Sequence, residues 1–120
     1  MWLFTRKGYF SIVRKRGEDL LTVRARDKAD LEALRTAYGL EATVIEFGAT
    51  DYPFRLRLRA EQVAEIVAAE VLQIDYPNFK DTQTKKRHDI YMGVWAKLLA
   101  IEPPGIWRNR RSGRPIDTSE

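Results

Sequence analysis

Two stretches of strict alternation constrain this chain more than anything else in it. Leu21-Thr22-Val23-Arg24-Ala25-Arg26 and Phe54-Arg55-Leu56-Arg57-Leu58-Arg59 place an apolar side chain at every second position and, between them, a threonine and five arginines. Successive side chains of a β-strand point to opposite faces. The pattern therefore predicts two half-buried strands, over residues 20–26 and 54–59, each apolar beneath and arginine-bearing above. A helix would scatter the same residues around its circumference.

The neighbouring segments fit a sheet built on those strands. Residues 2–5 and 9–14 are β-rich and joined by Arg6-Lys7-Gly8, a hairpin whose glycine supplies the positive φ of a tight turn. Gly17-Glu18-Asp19 marks the next turn, and residues 43–47 read as a further strand. Asp27 is a good N-cap for a helix carrying Leu31, Leu34 and Tyr38, which Gly39 is placed to end. Val63, Ile66, Val67, Val71 and Ile74 form the stripe of a second helix over residues 60–74. Tyr91, Val94, Trp95, Leu98 and Ile101 keep helical spacing over residues 88–101, and Pro103-Pro104-Gly105 stops that helix. Residues 80–86 are polar and give no periodic signal.

The expected fold is α+β: a single antiparallel sheet of about five strands, in the order ββ β α β β α α, with helices packed on one face. Residues 1–102 read as one domain and 103–120 as a basic, loosely ordered tail. At 120 residues and 44% hydrophobic the chain has material for a core, and a domain of that size buries roughly two thirds of its unfolded surface. Trp2, Trp95 and the valine stripe are expected in that core.

The chain has no cysteine, which removes disulfides, thiolate metal sites, iron–sulfur clusters and a cysteine nucleophile. A reducing, cytoplasmic setting is the natural inference. The opening residues lack the plan of a signal peptide, and no run approaches the ~18 apolar residues of a membrane span. The net charge of +4 includes 17 acidic residues. Such an excess permits nucleic-acid binding without requiring it.

The five arginines are the first candidate site. If the two alternating strands share a sheet, Arg24, Arg26, Arg55, Arg57 and Arg59 form a basic surface able to hold phosphates. Arg14 and Arg16 would extend it, and Trp2, Phe4 and Tyr9 would stack bases beside it. The plainer reading is a solvated face whose arginine stems cover apolar area, with Glu46 and nearby carboxylates as ion-pair partners. Lys85-Lys86-Arg87-His88 and Arg108-Asn109-Arg110-Arg111 read as solvated basic clusters or further contact points. His88, the single histidine, reads as a capping or surface residue. Glu46, Asp51, Asp75 and Asp89 could gather around a divalent metal, but nothing in their spacing forces it. No phosphate-loop, dinucleotide or zinc-protease motif occurs. No cofactor is implied.

Met1-Trp2-Leu3-Phe4-Thr5-Arg6-Lys7-Gly8-Tyr9-Phe10-Ser11, the segment from Leu21 to Leu34, Thr50-Asp51-Tyr52-Pro53-Phe54-Arg55 and Ile74-Asp75-Tyr76-Pro77-Asn78-Phe79-Lys80 form a distinctive set. With His88, Tyr91 and Val94-Trp95, they make residues 1–100 resemble a widespread family of short bacterial proteins of uncharacterised function. The resemblance implies a bacterial cytoplasmic protein and carries no activity with it. It draws attention to Asp75, Tyr76, Asn78 and Lys80 as a shaped polar site, since a turn needs only the proline and the asparagine.

The expected function is a non-enzymatic binding module with an arginine-rich sheet face, its partner nucleic acid. The rival readings are a protein-interaction or inhibitor protein, with a homodimer through the sheet edge or the aromatic hairpin as one form of it, and a small metal-dependent hydrolase.

Overall fold

The computed structural model describes residues 1–74 and 84–101. The chain divides into two compact units, Met1–Thr82 and Gln83–Glu120, and each is described by itself. The elements are β1 (Trp2–Thr5), β2 (Gly8–Arg14), β3 (Leu21–Ala25), α1 (Lys28–Tyr38), β4 (Ile45–Glu46), β5 (Phe54–Leu58), α2 (Ala60–Leu72) and α3 (Lys85–Leu98). The strands form one open antiparallel sheet in the order β1-β2-β3-β5-β4. The α+β class and the antiparallel sheet are therefore as the alternation predicts.

Pairing register sorts the side chains into two faces. Ile12, Val23 and Leu56 lie across from one another on β2, β3 and β5, with Leu21 opposite Leu58 and Leu3 opposite Phe10. These positions turn toward α1 and α2, where Leu31, Leu34, Val63 and Ile66 complete the core. Phe10, Leu31 and Leu56 are wholly buried there.

Local chemistry sets the element ends. Asp27 caps α1 by accepting the Ala29 N–H at 3.0 Å, and Gly39 closes it with a left-handed φ of 59°. Asp30 is buried and turns to the hairpin, where its carboxylate accepts the Tyr9 N–H at 3.1 Å. That contact presses on Gly8, which has φ +141°. A β-carbon there would lie 2.1 Å from the Asp30 carboxyl carbon. Lys7 pairs with Glu70 at 3.1 Å and sits 5.3 Å from the centre of the Tyr38 ring. The hairpin turn is thus pinned to both helices.

Several expectations change. The strand expected over residues 43–47 is only Ile45–Glu46, because Val44 packs partly against the core while the chain turns away. The stripe of α2 is buried at Val63 and Ile66 but exposed at Val71 (57%) and Ile74 (78%). The third helix begins at Lys85, earlier than its apolar spacing suggests, because Thr84 caps it by accepting the Arg87 N–H at 3.3 Å. Capping therefore falls to Thr84 and not to His88, which stands within the helix. Trp95 on α3 is 51% exposed, not a core residue.

Candidate nucleic-acid interface

The face of the sheet opposite α1 and α2 carries the candidate site. Register places Trp2, Ser11, Arg24, Arg55 and Ile45 in one row across all five strands. A second row holds Val13, Thr22 and Arg57, and Phe4 faces Tyr9. The two arginine strands are immediate neighbours, and Arg24 lies directly across from Arg55.

Two guanidinium groups on this face rest on aromatic rings. Arg24 stands 4.6 Å from the Tyr52 ring centre and Arg55 stands 4.5 Å from that of Phe47. The quadrupole of a ring face attracts a cation, which fixes a long side chain that would otherwise wander. Arg24 also donates to Ser11 Oγ at 2.7 Å, and Arg55 Nε donates to the Tyr52 carbonyl at 3.2 Å. The arginine stems help cover the strand floor, and Ser11 and Thr22 beneath them are 1% and 2% exposed.

A run of rings continues from Tyr52 toward the β1 edge. Its hydroxyl meets that of Tyr9 at 2.8 Å. Tyr9 stacks on Phe4 at 4.6 Å and meets Trp2 edge-on at 6.1 Å. Burial, and then the bond to Tyr52, hold the Tyr9 phenol well above the ordinary tyrosine range. It stays a neutral hydrogen-bonding group at physiological pH. Trp2 is 64% exposed, so it belongs to this open face and not to the core, as its pairing opposite Ser11 requires.

Among the described residues, few carboxylates meet the charge on the face. Arg24 and Arg55 meet a hydroxyl, a carbonyl and rings, and Arg26 donates to the Asp51 carbonyl. Among the described residues, Arg57 alone of the five arginines pairs with a carboxylate, Glu18, at 2.8 Å. Glu46 does not pair with them, because it lies opposite Phe54 on the other face. Arg14 does not extend the surface either. It shares its face with Ile12, opposite Leu21, and donates to the Asp19 carbonyl at 2.6 Å. Arg16 is exposed in the turn that follows. Arg59 sits where β5 passes into α2, its N–H donating to Gln62 Oε1 at 2.9 Å. It therefore borders the face.

At the β4 side, Lys15, Glu18, Thr22, Ile45, Phe47, Arg55 and Arg57 line a recess of about 230 Å³. Phe47 and Tyr52 did not emerge from the sequence as site residues. Phe47 stands two residues after Ile45, which gives it the same face, and Tyr52 is in a loop where periodicity says nothing.

Asp75, Tyr76, Asn78 and Lys80 lie outside the described residues, as do Arg108, Arg110 and Arg111. Among the described residues no three His, Asp or Glu side chains come together to hold a metal, and Asp75, the fourth of the carboxylates weighed for one, lies outside them. No helix among them is long and apolar enough to cross a membrane.

No known protein-family model, curated protein or solved structure matches the chain.

Proposed function

We propose that this protein is a non-enzymatic module that binds single-stranded nucleic acid on the open face of its sheet. The observation that carries the reading is the interleaving of fixed arginines and rings on one surface, Trp2 and Phe47 exposed and Phe4, Tyr9 and Tyr52 half-buried: Arg24 over Tyr52, Arg55 over Phe47, and the Tyr9, Phe4 and Trp2 series beside them. Guanidinium groups held in place pair with phosphate oxygens at reduced entropic cost. Rings on a flat face stack on unpaired bases, at about 1–3 kcal/mol per base. Bases inside a duplex offer no free face, which selects for single strands. A cytoplasmic setting and a bacterial origin belong to the same proposal, in keeping with a chain free of cysteine.

The test is a titration of labelled single- and double-stranded DNA and RNA, followed by anisotropy at low and physiological salt. Single strands should bind more tightly than duplex. The logarithm of affinity should fall with the logarithm of salt by about 0.7 for each phosphate contacted. Arg24→Ala with Arg55→Ala should weaken binding at least tenfold and flatten that slope. Absence of binding at low salt would sink the proposal and bring forward a protein partner, for which the exposed Trp2 on edge strand β1 is the natural contact.

A further inference from the structure

We infer that the recess at the β4 side is a subsite for one nucleotide, in which the phosphate takes the place now held by the Glu18 carboxylate. The inference rests on the single-strand reading and gives it a defined anchoring point. The recess of about 230 Å³ brings two kinds of wall together. Phe47 and Ile45, 42% and 41% exposed, form an apolar wall that a base can cover. Lys15, Arg55 and Arg57 supply three cations, and the Arg55 guanidinium stands 4.5 Å from the centre of the Phe47 ring. The arrangement matches a ligand that is flat and apolar at one end and anionic at the other.

Glu18 is the informative residue. It lines the same recess and holds Arg57 at 2.8 Å, with both side chains well exposed, at 36% and 43%. An ion pair so open to water contributes little to stability. Glu18 makes one contact to Arg57; a phosphate can pair with the guanidinium through two oxygens and carries greater charge, so it can displace the carboxylate at small cost. Glu18 then acts as a resident anion that keeps Arg57 aimed into the recess while the site is empty. Its own negative charge opposes the incoming phosphate. Removing that charge should strengthen binding, an effect no merely structural role for Glu18 predicts.

The experiment uses the full chain labelled with nitrogen-15 and follows backbone amide shifts. The probes are adenosine monophosphate, adenosine, inorganic phosphate, and oligonucleotides with and without a 5′-phosphate. The nucleotide and the strands should shift Thr22, Ile45, Phe47, Arg55 and Arg57, and adenosine or phosphate alone should do so far more weakly. Glu18→Gln should tighten nucleotide binding roughly threefold to tenfold, whereas Arg57→Ala and Phe47→Ala should each weaken it by a similar factor. A preference for the 5′-phosphorylated strand would assign the subsite to a strand end, and equal affinity would assign it to an internal nucleotide. Shifts from the mononucleotide without strand binding would keep the site and remove the strand reading. Strand binding that leaves these amides unmoved, or Glu18→Gln with unchanged affinity, would overturn the inference and leave the sheet-face proposal standing. Inorganic phosphate reproducing the nucleotide shifts would also overturn it, by reducing the recess to a bare anion site.

Discussion

The two faces of the sheet are made from the same strands and the same alternation, yet they are held in different ways. On the helix-covered face Phe10, Val23, Ala25 and Leu56 are at most 1% exposed and interlock without polar atoms. On the open face Arg24, Arg55 and Tyr9 are only partly covered, and their order comes from rings and hydrogen bonds. Burial of apolar area stabilises the domain on the first face. The interactions of the second are weak singly and leave charge facing outward. One side of the sheet is therefore held by burial, and the other by ring contacts and hydrogen bonds that leave its guanidinium groups at the surface.

The largest expected effect breaks the first face. Phe10→Ala should cost about 3–5 kcal/mol by leaving a cavity beneath β2, measured as a fall in the urea midpoint. A folded protein of undiminished stability would show that the comparison is drawn in the wrong place. Next comes the hairpin that joins the faces. Gly8→Ala should cost about 1–3 kcal/mol from backbone strain alone, and more from the collision with Asp30. Asp30→Gly in the same chain should recover part of the loss, and a double-mutant cycle would measure how much.

On the open face the effects on folding should be small. Arg24→Ala with Arg55→Ala should change stability by about 1–2 kcal/mol, since each arginine loses one ring contact and one hydrogen bond. Thermal unfolding checks this, and a loss as large as that of Phe10→Ala would erase the distinction between the faces. The smallest effect is at alkaline pH. The Tyr9 phenol is raised above its ordinary value, so the unfolded chain releases that proton first, near pH ~10. The contribution of Tyr9 to stability is complete below that pH and is lost as pH climbs toward the raised value. Tyr9→Phe should flatten this part of the stability profile, measured by urea unfolding across alkaline pH.

Much of this architecture was legible in the sequence, because alternation needs no partner to be recognised. Residues 54–59 declare their two faces alone, and Asp27 and Gly39 declare the ends of α1. Pairing is another matter. That β3 lies beside β5 follows from contacts between segments about thirty residues apart, which no local pattern records, so the meeting of Arg24 and Arg55 could not be read. The same gap hid the rings beneath them. Phe47 follows a two-residue strand, and Tyr52 is brought to Arg24 by the path of a loop. Trp2 was expected inside because it is large and apolar, but its position opposite Ser11 decides its side. Arg14 was expected beside the other arginines on charge alone, although its parity with Ile12 sends it the other way.

The facing of Arg24 and Arg55 has a consequence for how the chain reaches its structure. Pairing β3 with β5 closes a long loop, so this step comes late relative to the local hairpin of β1 and β2. A slip of β5 by one residue at that step would turn Arg55 and Arg57 toward the helices and put Leu56 and Leu58 in water, while β3 stays held by β2. Two charges without partners in an apolar layer would make the slipped state far less stable than the native one. The arginines thus proofread the assembly of the sheet before any ligand arrives, and replacing them with apolar residues would cost the chain its means of telling the right pairing from the wrong one.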